Sequence, residues 1–353
     1  MAYTTIDDPS AHFQVKTYTG TSGIHDVTLD GNSDMQPDWV WFKNRTIGYT
    51  HQLYDSSRGV TKALYSQGTN AEVTISNGLT RFDPDGFRVS SAAAINENEI
   101  VCWNWKANGG TTSSNTDGSI TSTVQANQDA GFSIVTYTGT GTAATIGHGL
   151  GVAPAMYIIK NRDQTGTNWT VFHKDLTSNA YSLYLNTTAA QSNSVGYWNG
   201  TSPTSTVFSI KNTSGDVNTN TEDYVVYCFA EKQGYSKFGK YVGNGNNSGP
   251  YIHLGFRPAF IMTKKSDGTS GWFMQDIKRG IKNNDTNTPV LQANGSFSEA
   301  TVGFTDYEID FLSNGFKLRD NNTYVNASGS TYIYMAFAEN PFVTSTGIPT
   351  TAR

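Results

Sequence analysis

The stretch Pro37-Asp38-Trp39-Val40-Trp41-Phe42-Lys43-Asn44-Arg45 decides the fold, because two similar stretches follow it along the chain. They read Pro154-Ala155-Met156-Tyr157-Ile158-Ile159-Lys160-Asn161-Arg162 and Pro258-Ala259-Phe260-Ile261-Met262-Thr263-Lys264-Lys265. In each, a proline stands six residues before a lysine, and a mostly apolar run fills the interval. Proline fits the first residue of a strand, where its missing N–H removes no ladder bond. The three stretches therefore predict three equivalent β-strands.

Three further landmarks recur around this strand, in the same order each time. An opening strand ends in a glycine turn, at Phe13–Gly20, Phe132–Gly139 and, more loosely, Phe238–Gly243. A short Phe-centred strand and a closing aromatic strand follow, at Gly86–Val89 and Ile100–Trp103, Val207–Ile210 and Tyr224–Glu231, and Gly315–Leu318 and Tyr332–Glu339. Self-similarity at a fixed period is the signature of repeated architecture. We predict an all-β chain of three tandem antiparallel β-sandwich or barrel modules, each with roughly seven to nine strands.

The landmarks set the expected boundaries. An N-terminal arm takes residues 1–11, the modules take 12–106, 131–231 and 235–339, and a C-terminal tail takes 340–353. Residues 107–130 are rich in Gly, Ser, Thr and Asn and are expected to form a linker that lets the first module move. The junction 232–234 is short, so the second and third modules should form a nearly rigid pair. No convincing helix is expected, because Gly, Asn and Thr interrupt every candidate helical period.

Composition excludes several classes of function. The net charge is -5, the pI is about 5.7, and no basic cluster is present, which argues against nucleic-acid binding and against an anionic membrane surface. No run approaches the roughly 18 apolar residues of a membrane span, so we expect no membrane insertion. The first residues lack the positive start and apolar core of a signal peptide, so we expect synthesis in the cytoplasm of a host cell. Cys102, Cys228 and Ala336 fall at one place in the closing strand, which predicts a small buried position.

No residues combine into a convincing catalytic or cofactor site. A lysine precedes an aspartate by 12 to 15 residues in each module, at Lys43/Asp55, Lys160/Asp175 and Lys264/Asp276, which predicts a cross-strand ion pair. The six histidines do not repeat in register, and neither a nucleophile elbow nor a phosphate loop occurs. Asp30-Gly31-Asn32-Ser33-Asp34 lacks the downstream glutamate of a calcium loop, and Asp83-Pro84-Asp85-Gly86 reads as a turn. We expect no enzyme activity, no cofactor and no metal.

One aromatic pair lies outside the repeated landmarks. Tyr197 and Trp198 stand in a stretch rich in Ser, Asn and Gly. An exposed aromatic ring flanked by amides suits stacking on a sugar, so these two residues are the candidate glycan contact. The alternative is an anchor that packs a loop onto its own module.

These blocks resemble a family of marine bacteriophage proteins. The resemblance extends over essentially the whole chain, through the opening Tyr3–Phe13, the Tyr-Thr-Gly turns, the Lys-Asn-Arg strand ends, Asp85-Gly86-Phe87, the stretch 332–342 and the Ala352-Arg353 terminus. Members are described as uncharacterised or as virion or tail structural proteins, and no catalytic residues are defined for them. The resemblance implies a structural role on a virion but not its place there. Because the modules are compact and exposed, we expect them on the tail or an adjoining appendage, in contact with the host surface.

Several alternatives remain open. A capsid decoration or head-fibre protein fits the same modules, and so does an array of carbohydrate-binding modules, which predicts a recurring exposed aromatic groove. A polysaccharide-degrading enzyme would need converging carboxylates. The absence of heptads and of collagen-like repeats disfavours an elongated fibre. The expected partners are other virion proteins, further copies of this chain in a homo-oligomer, and a host-surface glycan.

Overall fold

A computed structural model describes residues 2–212, 214–281, 283, 288–299 and 307–350. The first third of the chain contains β1 (Phe13–Thr19), β2 (His25–Val27), β3 (Trp39–Asn44), β4 (Gln52–Asp55), β5 (Lys62–Ala63), β6 (Val73–Thr74), β7 (Leu79–Asp83), β8 (Gly86–Val89) and β9 (Glu99–Trp105). The middle third contains β10 (Ser113–Asn115), β11 (Ser122–Asn127), β12 (Phe132–Thr138), β13 (Ala144–Gly147), β14 (Met156–Asn161), β15 (Thr170–His173), β16 (Leu183–Tyr184), β17 (Val207–Ile210) and β18 (Asp223–Phe229). The last third contains β19 (Ser236–Val242), β20 (Tyr251–His253), β21 (Phe256–Lys265), β22 (Trp272–Asp276), β23 (Leu291–Gln292), β24 (Ile309–Leu312), β25 (Gly315–Leu318) and β26 (Thr331–Pro341).

Helical structure is limited to single turns in the described residues. These are α1 (Ala93–Asn96), α2 (Thr323–Asn326) and two 3₁₀ turns at Pro9–Ala11 and Ile277–Arg279. The chain is therefore all-β, as predicted. No helix in this part of the chain is long and apolar enough to cross a membrane.

Three larger sheets share one strand order. The first is β1-β9-β3-β4, the second contains β12-β18-β14-β15 within seven strands, and the third contains β19-β26-β21-β22 within five. Every pairing within these sheets is antiparallel. In the described residues no sheet closes on itself, so the barrel alternative is wrong.

Each larger sheet is buried on both faces, because its strands alternate between two cores. Val40 and Phe42 of β3 pack with Phe87 of the small sheet β2-β8-β7, in a local sandwich. Trp39 and Trp41 point the other way, into a core that residues of all three larger sheets share. The smaller sheets β13-β17 and β20-β25-β24 cover the second and third larger sheets in the same manner. This double burial explains the continuous apolar runs in the sequence.

The shared core contradicts the expectation that the first module moves on a linker. Trp39 of the first sheet stacks on Tyr227 of the second, with ring centroids 4.1 Å apart. Phe13 of the first sheet stacks on Phe337 of the third, at 4.9 Å. Burial of such large rings between sheets fixes all three together.

The predicted linker is also structured. Between residues 107 and 130, β10 and β11 pair with each other, and β11 pairs with β12, so both strands extend the second sheet. The apolar signal of β11 is weak, because only Val124 and Ala126 among its six residues are apolar. The residues that the sequence called an arm are partly buried as well, since Thr4 and Ile6 are 2% and 4% exposed. Residue 1 and residues 351–353, at the ends of the expected arm and tail, lie outside the described residues.

The register confirms most of the sequence landmarks and shifts two of them. Trp39, Met156 and Phe260 occupy matching places, opposite Trp105, Phe229 and Phe337 of the closing strands. Cys228 and Ala336 also match, opposite Tyr157 and Ile261, but their equivalent in the first sheet is Asn104, opposite Val40. The expectation that Cys102 shares this place is therefore wrong, because it lies two residues earlier in the closing strand. In the third opening strand, however, Ser236 takes the place of Phe13 and Phe132, and Phe238 lies two residues further along.

Candidate functional site

The three larger sheets contact one another in a closed ring. The segment that follows β5, β16 or β23 reaches the end of β14, β21 or β3, respectively, in the next sheet. Three backbone hydrogen bonds make this contact: Glu72 N–H to Arg162 O at 2.7 Å, Gln191 N–H to Ser266 O at 2.8 Å, and Glu299 N–H to Arg45 O at 2.9 Å. The first sheet thus contacts the second, the second contacts the third, and the third contacts the first. The ring is the principal candidate site because it gathers most of the buried charged groups.

A buried ion cluster lies at the contact between the first and second sheets. Arg58 is fully buried and contacts the Asp55 carboxylate at 2.5 Å and Glu72 at 3.0 Å. Arg162 of the second sheet contacts the same Glu72 at 3.0 Å. The Tyr227 hydroxyl donates to Asp55 at 2.7 Å across the contact. Two carboxylates and two guanidinium groups thus hold the two sheets together.

A matching cluster lies between the third and first sheets. Arg279 contacts Asp276 at 2.7 Å and Glu299 at 3.1 Å, and Arg45 contacts Glu299 at 3.0 Å. Here the indole Nε1 of Trp103 takes the place of the tyrosine and donates to Asp276 at 3.0 Å.

The contact between the second and third sheets is built differently. His173 lies opposite Met156, the place that Asp55 and Asp276 take opposite Trp39 and Phe260. Its Nε2 lies 3.2 Å from Tyr334 O of the third sheet. Burial lowers the pKa of His173 to about 4, so the ring is neutral and donates this bond. Asp175, which the sequence placed as the equivalent aspartate, lies two residues further along.

The predicted lysine–aspartate ion pairs are wrong in all three copies. The Lys160 ammonium donates to Thr167 O at 2.7 Å and to Thr69 O of the first sheet at 3.4 Å. Lys264 donates to Lys265 O at 2.7 Å and to Thr188 O of the second sheet at 3.3 Å, while Lys43 donates to Asn44 O at 2.6 Å. Burial lowers the pKa of Lys43 and Lys160 to about 8 and that of Lys264 to about 7. Backbone carbonyls, and not carboxylates, hold these lysines.

The clusters are suited to holding two sheets together and not to acid–base catalysis. Burial alone would raise the pKa of Glu72, but hydrogen bonds and ion pairs with Arg162 and Arg58 lower it on balance. A general base needs a pKa near the working pH and access to a substrate proton. Both clusters instead lie between packed sheets, with Asp55, Arg58, Asp276 and Arg279 side chains fully buried.

Sequence reasoning missed the role of Arg58 and Arg279, although the sequence carries a signal for it. The signal is the spacing Asp55-x-x-Arg58 and Asp276-x-x-Arg279, in which the arginine folds back onto the aspartate. The second copy has neither the aspartate at this register nor the arginine. Glu72 and Glu299 carried no signal, because they lie outside the four landmarks.

The candidate glycan contact is buried, so its premise is wrong. Trp198 is 0% exposed and Tyr197 2% exposed, and both belong to the local core of the second sheet. Trp198 Nε1 donates to Tyr181 O at 3.0 Å, and the Tyr197 hydroxyl lies 2.5 Å from the Asp216 carboxylate. The pair anchors a loop to its own sheet, which was the alternative interpretation. All seven tryptophans of the chain are less than 2% exposed.

The cysteines and the candidate calcium loops have structural partners. Cys102 and Cys228 are free and buried, and burial raises the pKa of Cys102 to about 12. Asp30 pairs with Lys278 at 3.2 Å and Lys16 at 3.3 Å, and Asp83 pairs with Arg81. Among the described residues, no group of three or more His, Cys, Asp or Glu side chains is placed to hold a metal ion.

Two surface clefts lie at the contacts between sheets. One, of about 390 Å³, lies between β1 and the third sheet and includes Phe13, Val15 and Lys278. The other, of about 410 Å³, lies beside His173 and the junction after β18 and includes Lys174 and Lys232. The walls of each mix apolar and charged side chains.

Comparison with known proteins gives a family and no neighbour beyond it. No curated protein and no solved structure matches the chain. A family model described as a domain of unknown function, DUF7483, matches residues 8–341, which include all three larger sheets and the ring contacts between them. The chain therefore belongs to the DUF7483 family.

Proposed function

We propose that this chain is an exposed structural component of a bacteriophage virion, mounted on the tail or an adjoining appendage and contacting the host surface. The observation that carries the proposal is the closed ring of three sheets with one strand order around one core. Such a ring is a rigid body with near-threefold symmetry, and assemblies with rotational symmetry accept bodies of matching symmetry. The likeness to marine bacteriophage proteins supplies the setting.

We also infer that the ring arose from three tandem modules of one repeat, at 12–106, 131–231 and 235–339. The shared strand order and the matching register of Trp39, Met156 and Phe260 support this inference. The equivalent ring contacts at Glu72, Gln191 and Glu299 support it independently.

A second location, as a capsid decoration or head fibre, fits the same body, and only its place on the particle differs. The carbohydrate-binding array gains no support, because its recurring aromatic groove would need tryptophans that are instead buried. The proposed partners are other virion proteins and further copies of this chain, with a host-surface glycan at the exposed end.

Purified virions labelled with an antibody to this protein and imaged by electron microscopy test the proposal. We expect label at the tail. Label spread over the head would move the protein to the capsid alternative and remove the host contact. Intact particles without label, together with an empty result from mass spectrometry of the same particles, would overturn the structural role.

A further inference from the structure

The outer edge of β1 carries backbone groups that point away from its sheet. Lys106 N–H donates to His12 O at 3.0 Å, and Gly20 N–H donates to Asn98 O at 2.7 Å, at the two ends of the β1–β9 pair. Hydrogen-bonded pairs alternate along antiparallel strands, so the residues between these two bonds alternate as well. The N–H and C=O groups of Phe13, Val15 and Thr17 therefore face outwards.

In the second sheet the equivalent groups are covered. Bonds from Ala230 N–H to Gly131 O and from Gly139 N–H to Glu222 O set the same alternation along β12. The outward residues of β12 are thus Phe132, Ile134 and Thr136, and β11 lies along them with Asn127, Gln125 and Thr123 opposite. The chain itself shows how a strand adds to this edge.

Beside β1, a cleft occupies the place that β11 takes beside β12. β1 is the last strand of its sheet, and no strand of the described chain pairs with its outer side. The cleft of about 390 Å³ runs beside Phe13 and Val15, with Ile277 and Lys278 on its far wall. Ile277 and Lys278 are the equivalents of Ser56 and Ser57, because each pair directly follows the equivalent aspartate, Asp276 or Asp55. Gln125 of β11 contacts both serine hydroxyls at 2.9 Å.

In the third sheet, the equivalent edge is that of β19, and residues just before this strand bond to it. Ser236 N–H donates to Lys232 O at 2.9 Å, and Phe238 N–H donates to the Glu231 carboxylate at 3.0 Å. Two outward groups of β19 are therefore satisfied within the chain. Of the three equivalent edges, that of β1 is the one that neither a strand nor a bond of this kind covers in the described residues. Phe13 and Val15 are only 2% and 4% exposed, so a strand reaches their outward groups through the cleft.

We propose that the outer edge of β1 accepts an extended strand of a partner protein, which runs antiparallel to it as β11 runs along β12. An exposed sheet edge binds such a strand through its main chain, and neighbouring side chains choose the sequence. In the partner strand, the residue opposite Val15 is the equivalent of Gln125 in β11. It faces Lys278, whereas Gln125 faces Ser57. An acidic residue there pairs with the Lys278 ammonium, which Asp30 contacts at 3.2 Å in the free chain. The partner strand is thus polar and carries a Glu or Asp at this position.

Synthetic peptides with the sequence of residues 121–130 test the proposal by fluorescence anisotropy, with Gln125 kept or replaced by Glu. We expect both to bind the full chain, and the glutamate peptide to bind about tenfold more tightly. Thr17→Pro removes one outward N–H of β1, which an edge strand tolerates, and should weaken binding at least tenfold. The matched variant Lys240→Pro makes the same change on β19 and should leave binding unchanged.

A second measurement does not depend on how the proline variants fold. Methylation of the peptide nitrogen at Gln125, which faces β1, should abolish binding, whereas methylation at Val124, which faces away, should not. Absence of binding by either peptide, or equal binding by both methylated forms, would overturn the proposal. Either result leaves the place of the protein on the particle open, because the microscopy does not depend on this edge.

Discussion

Glu72 joins the first sheet to Arg162 of the second through both its backbone and its side chain. Its N–H donates to Arg162 O at 2.7 Å, and its carboxylate contacts the Arg162 guanidinium at 3.0 Å. Glu299 and Arg45 repeat the arrangement between the third and first sheets, at 2.9 and 3.0 Å. Gln191 and Ser266 keep only the backbone bond. One contact of the ring therefore lacks the charges that the other two share.

Neutralising Glu72 should open the first contact. Glu72→Gln leaves the buried Arg58 without one of its two carboxylates, and removing one partner of a buried pair costs about 3–5 kcal/mol. Because Glu72 keeps some exposure, we expect a loss of about 2–3 kcal/mol in the free energy of unfolding, measured with guanidinium chloride. Glu99→Gln, at an exposed residue, is the matched control and should change it by under about 0.5 kcal/mol. An equal effect of both variants would contradict the role of Glu72 in holding the first two sheets together.

Stability should rise with pH between about 7 and 8.5, below the range in which the thiols and tyrosines of the unfolded chain ionise. The pKa of Lys264 is lowered to about 7 and those of Lys43 and Lys160 to about 8, from 10.5 in the unfolded chain. The unfolded chain therefore binds more protons in this range, and its advantage fades as the pH rises. Each lysine adds up to about 1.4 kcal/mol per pH unit to the slope. Lys264→Met should flatten the slope measured from pH 7 to 8.5, and Lys240→Met, at an exposed lysine, should not.

The glycines of the three opening turns should resist substitution. A Cβ atom at Gly20, Gly139 or Gly243 would stand 2.1 to 2.4 Å from backbone atoms of a neighbouring turn. Overpacking of this kind costs about 1–3 kcal/mol, so each Gly→Ala variant should unfold at a lower denaturant concentration. Gly23→Ala is the control, since its nearest neighbour would lie 4.0 Å away. Tolerance of alanine at all three turns would argue against these close backbone contacts.

Trp198→Ala should act on stability. The ring lies edge-on to Tyr157, with centroids 4.9 Å apart, and its removal leaves a cavity. Large aromatic truncations in cores cost about 3–5 kcal/mol. Trp198→Phe should cost less, about 1–2 kcal/mol, because it loses mainly the bond to Tyr181 O. A tryptophan variant of unchanged stability would show that the loop does not need this anchor.

Cys102 and Cys228 should be inert in the folded chain. Both thiols are fully buried, and burial raises the pKa of each, so little thiolate forms at neutral pH. Mass spectrometry after iodoacetamide treatment at pH 8 should find neither residue alkylated. Both should react after unfolding in guanidinium chloride. Alkylation of either one in the folded chain would mean that its strand opens.

The strands, their alternation and their equivalence could be predicted from sequence, because apolar period and proline position are local signals. The alternation in Pro37–Asn44 placed Trp39 and Trp41 on one face, as the structure confirms. The matching place of Cys228 and Ala336 followed from the same alignment, but Cys102 lies two residues before the equivalent Asn104. These signals need only neighbours along the chain.

The ring and its charges could not be predicted in this way. Which sheet Trp39 faces depends on contacts between distant residues, and one module can bury its second face only against another. Lys43 and Asp55 seemed to pair because they lie on adjacent strands, but Arg58 holds the aspartate from three residues away. Tyr197 and Trp198 suggested an exposed loop, because their polar neighbours concealed the anchoring contacts.

Because the three sheets belong to one polypeptide, the ring does not obey mass action. A trimer of separate subunits would melt at a temperature that falls on dilution, whereas the closure of this ring adds no such dependence. Any fall on dilution would come from the proposed contacts between copies of the chain. Because the three sheets have separate stretches of sequence within one chain, each of them can also change in evolution without the other two. A homotrimer must carry every change three times, but here one sheet has β11, another has Glu231 across its edge, and the first has neither.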